Sequence, residues 1–248
     1  MKIVCTAAAL LAVLAPVQAE AGPTLEWVQS SDHLSKGSPN WHSEELRLAT
    51  KTSPRNQIDG TLRQTNRFGL SDNQVEINYA FPLAKQLTGL VMLSGSTTHR
   101  VLPKTDLGAS LQYEFLPTWW LNVGVNRTEY NNASISKAAL NIEHYFSSFR
   151  WVVGWRPTRV DGVSANGGEM RLDYYYSDAD FVGFQVAAGH EAANIGTRGV
   201  LVSSVRSAAL VGRHELSRSW KLRYGLERVK QGEFYNRTGL RIGAQYAF

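Results

Sequence analysis

Stretches of about ten residues in which apolar side chains alternate with polar or small ones recur along most of this chain, and that period of two leaves few folds open to it. The last stretch has the clearest pattern. Leu240, Ile242, Ala244, Tyr246 and Phe248 fall on one face, and Gly239, Arg241, Gly243, Gln245 and Ala247 on the other. The stretches Val75 to Phe81, Leu107 to Phe115, Trp119 to Asn126, Phe149 to Arg156, Met170 to Tyr176 and Trp220 to Glu227 repeat it. No segment holds a helical period over three turns. The chain therefore reads as all-β.

One alternating strand suits a soluble sandwich as well as a membrane barrel, and two features separate them. The second face of each stretch is rich in charge, amide and glycine, where a sandwich would need aliphatic side chains to fill its core. A barrel in lipid inverts the pattern, with polar side chains inside and apolar ones outside. Aromatic residues also gather near the ends of the stretches: Trp27, Trp41, Phe81, Phe115, Trp119, Trp120, Tyr145, Phe146, Phe149, Phe181, Trp220, Tyr246 and Phe248. Amphipathic rings favour the headgroup zone, so these predict interfacial girdles. A soluble periplasmic β-sandwich is the disfavoured alternative.

Export comes before folding. Lys2 is a short basic region, Ile3 to Val17 a mostly apolar one, and Val17-Gln18-Ala19 a small-residue cleavage site. Residues 1–19 are expected to be a signal peptide, and 20–248 the barrel domain. The single cysteine, Cys5, lies in the leader, so the mature barrel has no disulfide to rely on. After Ala19 no stretch has the roughly 20 apolar residues of a membrane helix, and mean hydropathy is only −0.25. Strands are the other way across a bilayer. The formal charge of +5 is scattered along the chain, which argues against nucleic acid and suits the phosphates of lipopolysaccharide or an anionic glycan.

Short connections are expected at Thr52–Asn56, Leu83–Gln86, Leu116–Thr118, Ser147-Ser148, Asp178–Asp180 and Ser217–Ser219. Less regular ones alternate with them at Ser35–Asn40, Gly69–Asn73, Thr98–Asp106, Asn131–Ser134, Asp161–Gly168, Asn194–Val200 and Gln231–Asn236. The result is a transmembrane antiparallel up-and-down β-barrel of about 14 strands, with both termini at the periplasmic end. Twelve strands are the alternative, because the segments around Trp27 and Val205–Leu216 alternate poorly.

Gly154-Trp155-Arg156-Pro157-Thr158-Arg159-Val160-Asp161, Tyr224-Gly225-Leu226-Glu227-Arg228 and the closing strand Thr238 to Phe248 resemble the YaiO family of outer-membrane β-barrels. The resemblance implies an outer-membrane location and a structural or exopolysaccharide-associated role, with little chemistry. Tyr246 and Phe248 are similar to the terminal aromatic signal that outer-membrane assembly machinery reads. It implies, as partners, that machinery, periplasmic chaperones and outer-membrane lipid.

Candidates for catalysis are thin. His144 and Ser147 are close in sequence, but His144 falls on the apolar face beside Leu140 and Ile142. His190 and Glu191 sit at a loop end. There is no G-x-S-x-G elbow and no H-E-x-x-H, so neither an enzyme nor a metal or other cofactor is expected. The informative set is the inward charge: Arg47, Asp59, Arg63, Arg67, Glu76, Glu114, Glu143, Arg150, Arg156, Arg171, Asp173, Lys221, Arg223, Glu227 and Arg241. These fit a lumen closed by ion pairs, or a pore that binds or passes glycans or anionic solutes. A lipid-modifying enzyme, with its site at one rim, is the alternative from another class.

Overall fold

The computed structural model describes residues 22–194 and 200–248, and the expected signal peptide lies outside them. The chain forms β1 (Thr24–Leu34), β2 (Trp41–Ser53), β3 (Asn56–Arg67), β4 (Leu70–Ala84), β5 (Leu87–Ser96), β6 (Thr105–Leu116) and β7 (Trp119–Glu129). It continues through β8 (Ser134–Phe146), β9 (Phe149–Val160), β10 (Val163–Tyr175), β11 (Phe181–Asn194), β12 (Val200–Glu215), β13 (Trp220–Gln231) and β14 (Tyr235–Ala247). Each strand pairs antiparallel with its neighbours in sequence. β1 closes on β14, from Thr24↔Ala247 to Leu34↔Arg237, so no edge remains. Fourteen is an even number, which puts both ends of the barrel chain at one rim.

The faces follow the sequence parity. Leu46, Leu62, Val75, Ile77, Leu107, Val125, Leu226, Leu240 and Ile242 are exposed on the outside. Glu26, Asp59, Thr61, Gln74, Asn141, Glu143, Arg150 and Asp173 are buried on the inside. The two doubtful segments are strands. Along β1 the outer face passes from Leu25 and Trp27 to Gln29, Ser31 and His33, so its alternation fades as it leaves the apolar band. β12 has small or apolar residues on both faces, Ala208 and Leu210 outside and Ala209 and Val211 inside, which hides the period.

Several connections differ from expectation. β3 and β4 join through Phe68-Gly69, and β9 and β10 through Asp161-Gly162, with no longer loop at either place. All four residues have positive φ, at 54°, 74°, 45° and 91°, the backbone that lets two residues turn a twisted hairpin. Loop lengths at the two rims therefore contrast less than expected: five residues join β10 to β11 at the rim of the termini.

The rims differ more in chemistry. At the rim of the termini an outer belt of rings runs Phe115, Trp119, His144, Phe146, Phe149, Tyr174, Tyr176, His214 and Tyr224, with neighbouring centroids 4.0 to 6.3 Å apart. Trp220, Tyr246 and Phe248 extend it, at 5.0 Å steps. Trp41, Trp120, Tyr145 and Phe181 are not girdle residues. They lie on the inward register of β2, β7, β8 and β11, where Trp41 and Phe181 are buried. An aromatic at a strand end serves the belt only if its parity points out, and theirs points in.

Candidate functional site

The lumen is where the chemically able side chains meet. Strand parity aims every one of the inward set inwards, and cross-strand neighbours complete the charges of most of them. Arg47 on β2 grips Asp59 on β3 through Nε at 3.0 Å and Nη2 at 2.9 Å. Arg63 on β3 donates to Glu45 on β2 at 3.0 Å and to Gln74 on β4 at 2.6 Å, and Gln74 donates on to Ser94 of β5 at 3.1 Å. Glu76 stands 3.9 Å from Arg63. These contacts stitch four strands from inside.

A second cluster lies towards the rim of the termini. Arg150 on β9 is opposite Asp173 on β10 and bonds it at 3.0 Å, while Nη2 donates to Glu143 on β8 at 3.1 Å. All three side chains are 0% exposed. Arg171 adds a contact to Asp173 at 2.8 Å. Buried charge is tolerable only when so neutralised. Arg156 pairs with Glu169 on β10. Glu114 accepts from the Thr118 backbone at 3.4 Å at the same rim.

The wall of β13, β14 and β1 is different. Lys221 stands 3.9 Å from Glu215. Glu227 accepts from Arg237 at 2.8 Å, and Arg237 also approaches Asp32 at 3.5 Å. Arg223 reaches across β14 to Glu26 on β1 at 2.7 Å. The β14 residue facing Arg223 is Gly243, so no side chain stands in the way. Arg241, on the same wall, makes no hydrogen bond or ion pair among the described residues. The residue opposite it on β13 is Gly225. Arg223 and Arg241 are exposed although they point inwards; among the other described Asp, Glu, Lys and Arg residues of inward strand register, Glu215 at the last position of β12 is also exposed and the rest are buried or half-buried.

At the opposite rim the mouth is narrowed by groups that the parity of the strands brings together. Trp41 is 2% exposed and meets Phe68 and Tyr235 edge-on, with ring centroids at 5.3 and 5.9 Å. The guanidinium of Arg67 lies 4.9 Å from its ring and that of Arg237 5.6 Å. Ile135, Val160, Ala165 and Ala192 form a second apolar cluster, with Tyr130 against it. The Tyr130 phenol is pushed up to about 12, by burial first and by Asp106 and Glu191 against the pull of Arg67. The 97–104 connection is tied to β4 through Asp72, whose carboxylate accepts the backbone amides of Val101 at 2.6 Å and Leu102 at 2.8 Å and the Thr98 hydroxyl.

Sequence reasoning missed Glu26, Asp32, Glu45, Asp72, Glu169 and Arg237. Glu26 and Asp32 sit in the poorly alternating β1, and Glu169 and Arg237 border stretches expected to be loops. Only the register assigns them. The catalytic candidates do not assemble. His144 stacks on Trp119 at 4.0 Å in the outer belt. His190 and Glu191 point to opposite faces, and Glu191 takes a 2.6 Å bond from Gln231.

The family model of the YaiO membrane beta barrel domain matches residues 24–194, which run from β1 through β11. The Gly154–Asp161 segment lies inside that match; the segments 224–228 and 238–248 lie beyond it. The CymD monoaromatic hydrocarbon channel superposes with a TM-score of 0.68 at 11% identity, covering 95% of this chain and 91% of its own. A bacterial polysaccharide outer membrane secretin gives 0.63 at 10% identity, covering 93% and 100%. The KdgM porin in complex with disordered oligogalacturonate gives 0.50 at 12%, covering 91% and 99%. Likeness at such identities is likeness of fold, and the neighbours are mostly channel- and porin-type barrels. No curated protein sequence matches the chain. With the greater part of its length matched and the barrel closed, this chain belongs to the YaiO membrane β-barrel family of the outer membrane.

Proposed function

We propose that this barrel is a non-enzymatic porin-like channel of the cell envelope. It passes small anionic solutes, acidic sugars among them, between the cell exterior and the periplasm, where both termini lie. One observation carries the reading: Arg223 and Arg241, two cations on one wall of the lumen, are open to water, whereas the exposed inward carboxylate, Glu215, sits at the end of β12 on the rim, 3.9 Å from Lys221. Each arginine faces a glycine across the ladder, which leaves room beside it. A ring or patch of arginine is how pores favour anions. Fold relatives that carry a hydrocarbon or are solved with oligogalacturonate make a conducting barrel of this size reasonable.

Liposome swelling tests the reading. Vesicles holding the refolded protein should swell faster in glucuronate than in glucose. Equal rates contradict anion preference. No swelling in either solute favours a second reading, a structural barrel with a closed lumen, which the fully buried Glu143, Arg150 and Asp173 support from the other wall.

A further inference from the structure

The outer wall of β11 to β14 carries no carboxylate on its described outward positions, yet it carries three cations: Arg206, Arg228 and Lys230. Arg206 and Lys230 are directly opposite across β12 and β13, and Arg228 lies two residues from Lys230 on the same face. All three are exposed. Among the described residues none makes a hydrogen bond or an ion pair. The contrast is Arg127, an outward arginine on β7, which holds Glu129 at 2.7 Å and Ser136 at 2.9 Å. Like charges set directly opposite each other on a sheet repel, and no carboxylate at the described outward positions of this wall offsets the pair.

Their height is informative. From Trp220 in the aromatic belt, β13 presents Leu222, Tyr224 and Leu226 outwards before Arg228 and Lys230. At about 3.3 Å per residue along a strand tilted by about 40°, these cations stand roughly 20–25 Å above Trp220, at the outer margin of the belt. That is the far edge of an apolar band about 25 Å tall. With the termini in the periplasm, this edge is the outer leaflet.

We propose that Arg206, Arg228 and Lys230 form a binding site for the phosphorylated sugar headgroup of a multiply acylated glycolipid of the outer leaflet. The cations take phosphate oxygens through charge-assisted hydrogen bonds. Asn236 and Thr238, beside them on β14, offer neutral partners to the sugar. Leu210, Leu226 and Leu240 line the wall below for the acyl chains. Bound phosphate also removes the repulsion between Arg206 and Lys230. This site faces lipid and is separate from the lumen, so its fate does not depend on the channel reading.

Native mass spectrometry of the full, folded protein in detergent tests it, with bisphosphorylated lipid A, the same lipid dephosphorylated, and phosphatidylglycerol as probes. The bisphosphorylated lipid should occupy the protein at about a tenfold lower concentration than either other lipid. The triple variant Arg206→Gln, Arg228→Gln, Lys230→Gln should lose that preference while still folding, judged by a shift in gel migration between unboiled and boiled samples as expected of a closed barrel, and Arg127→Gln should retain the preference. If the triple variant does not fold, the single variants Arg228→Gln and Lys230→Gln serve, each expected to weaken the preference about threefold. Equal binding of dephosphorylated lipid or of phosphatidylglycerol, or an unchanged preference in the glutamine variants, overturns the site.

Discussion

Asp173 on β10 leans over Gly183, its direct partner on β11: a β-carbon at position 183 would lie 2.0 Å from the Asp173 Oδ1. The absent side chain is what lets this carboxylate lie against the wall and face Arg150. Gly183→Ala should therefore push Asp173 away from Arg150 and cost roughly 1–3 kcal/mol, the penalty of a buried polar group left short of its partner. The urea midpoint of the detergent-folded barrel measures it. An unchanged midpoint would mean that Asp173 does not need that space.

Arg150 itself holds two buried carboxylates. Arg150→Met should destabilise the barrel by about 3–5 kcal/mol, because Glu143 and Asp173 lose the buried cation they share. Lys221→Met, whose partner Glu215 is 3.9 Å away and 39% exposed, should cost less than about 1 kcal/mol. Comparable losses in urea unfolding would contradict the distinction between the packed and the open wall.

The faces are tested by a pair of arginines. Ile242→Arg puts a charge against lipid and should cost about 2–4 kcal/mol near the midplane, whereas Gln245→Arg adds one to a polar lumen. Equal losses of folded fraction would reverse the assignment of faces.

How much of this was legible follows from where lipid touches the chain. Inside the apolar band the outward residues must be apolar, so Val75 to Phe81 or Leu240 to Phe248 declare both strand and face. Above the band no such demand exists. Val163 to Gly168 is strand all the same, with polar and small residues on both sides, and it read as loop although Asp161-Gly162 is a strong turn signal. Trp41 misled for a related reason: a ring near a strand end suits an interface or a plugged mouth, and only parity chooses. The inward charges were readable as a set. Their pairing was not, since Arg223 with Glu26 requires knowing that β1 closes on β14.

Asp72 fastens the 97–104 connection. Asp72→Asn weakens the acceptor that three or more donors share, and the connection should loosen. Limited trypsin digestion reads this at Arg100 and Lys104: wild type should resist cleavage there, and the variant should be cut while the barrel keeps its gel shift. Cleavage of both at one rate would show that Asp72 holds nothing.

The central claim, a water-accessible lumen whose open cations are Arg223 and Arg241, is tested most directly by the reversal potential of purified protein in a planar bilayer under a KCl gradient. Wild type should conduct with preference for chloride, and Arg241→Glu should move the reversal potential towards that of potassium. A cation-selective wild type, a reversal potential indifferent to Arg241, or no conductance at all would contradict it.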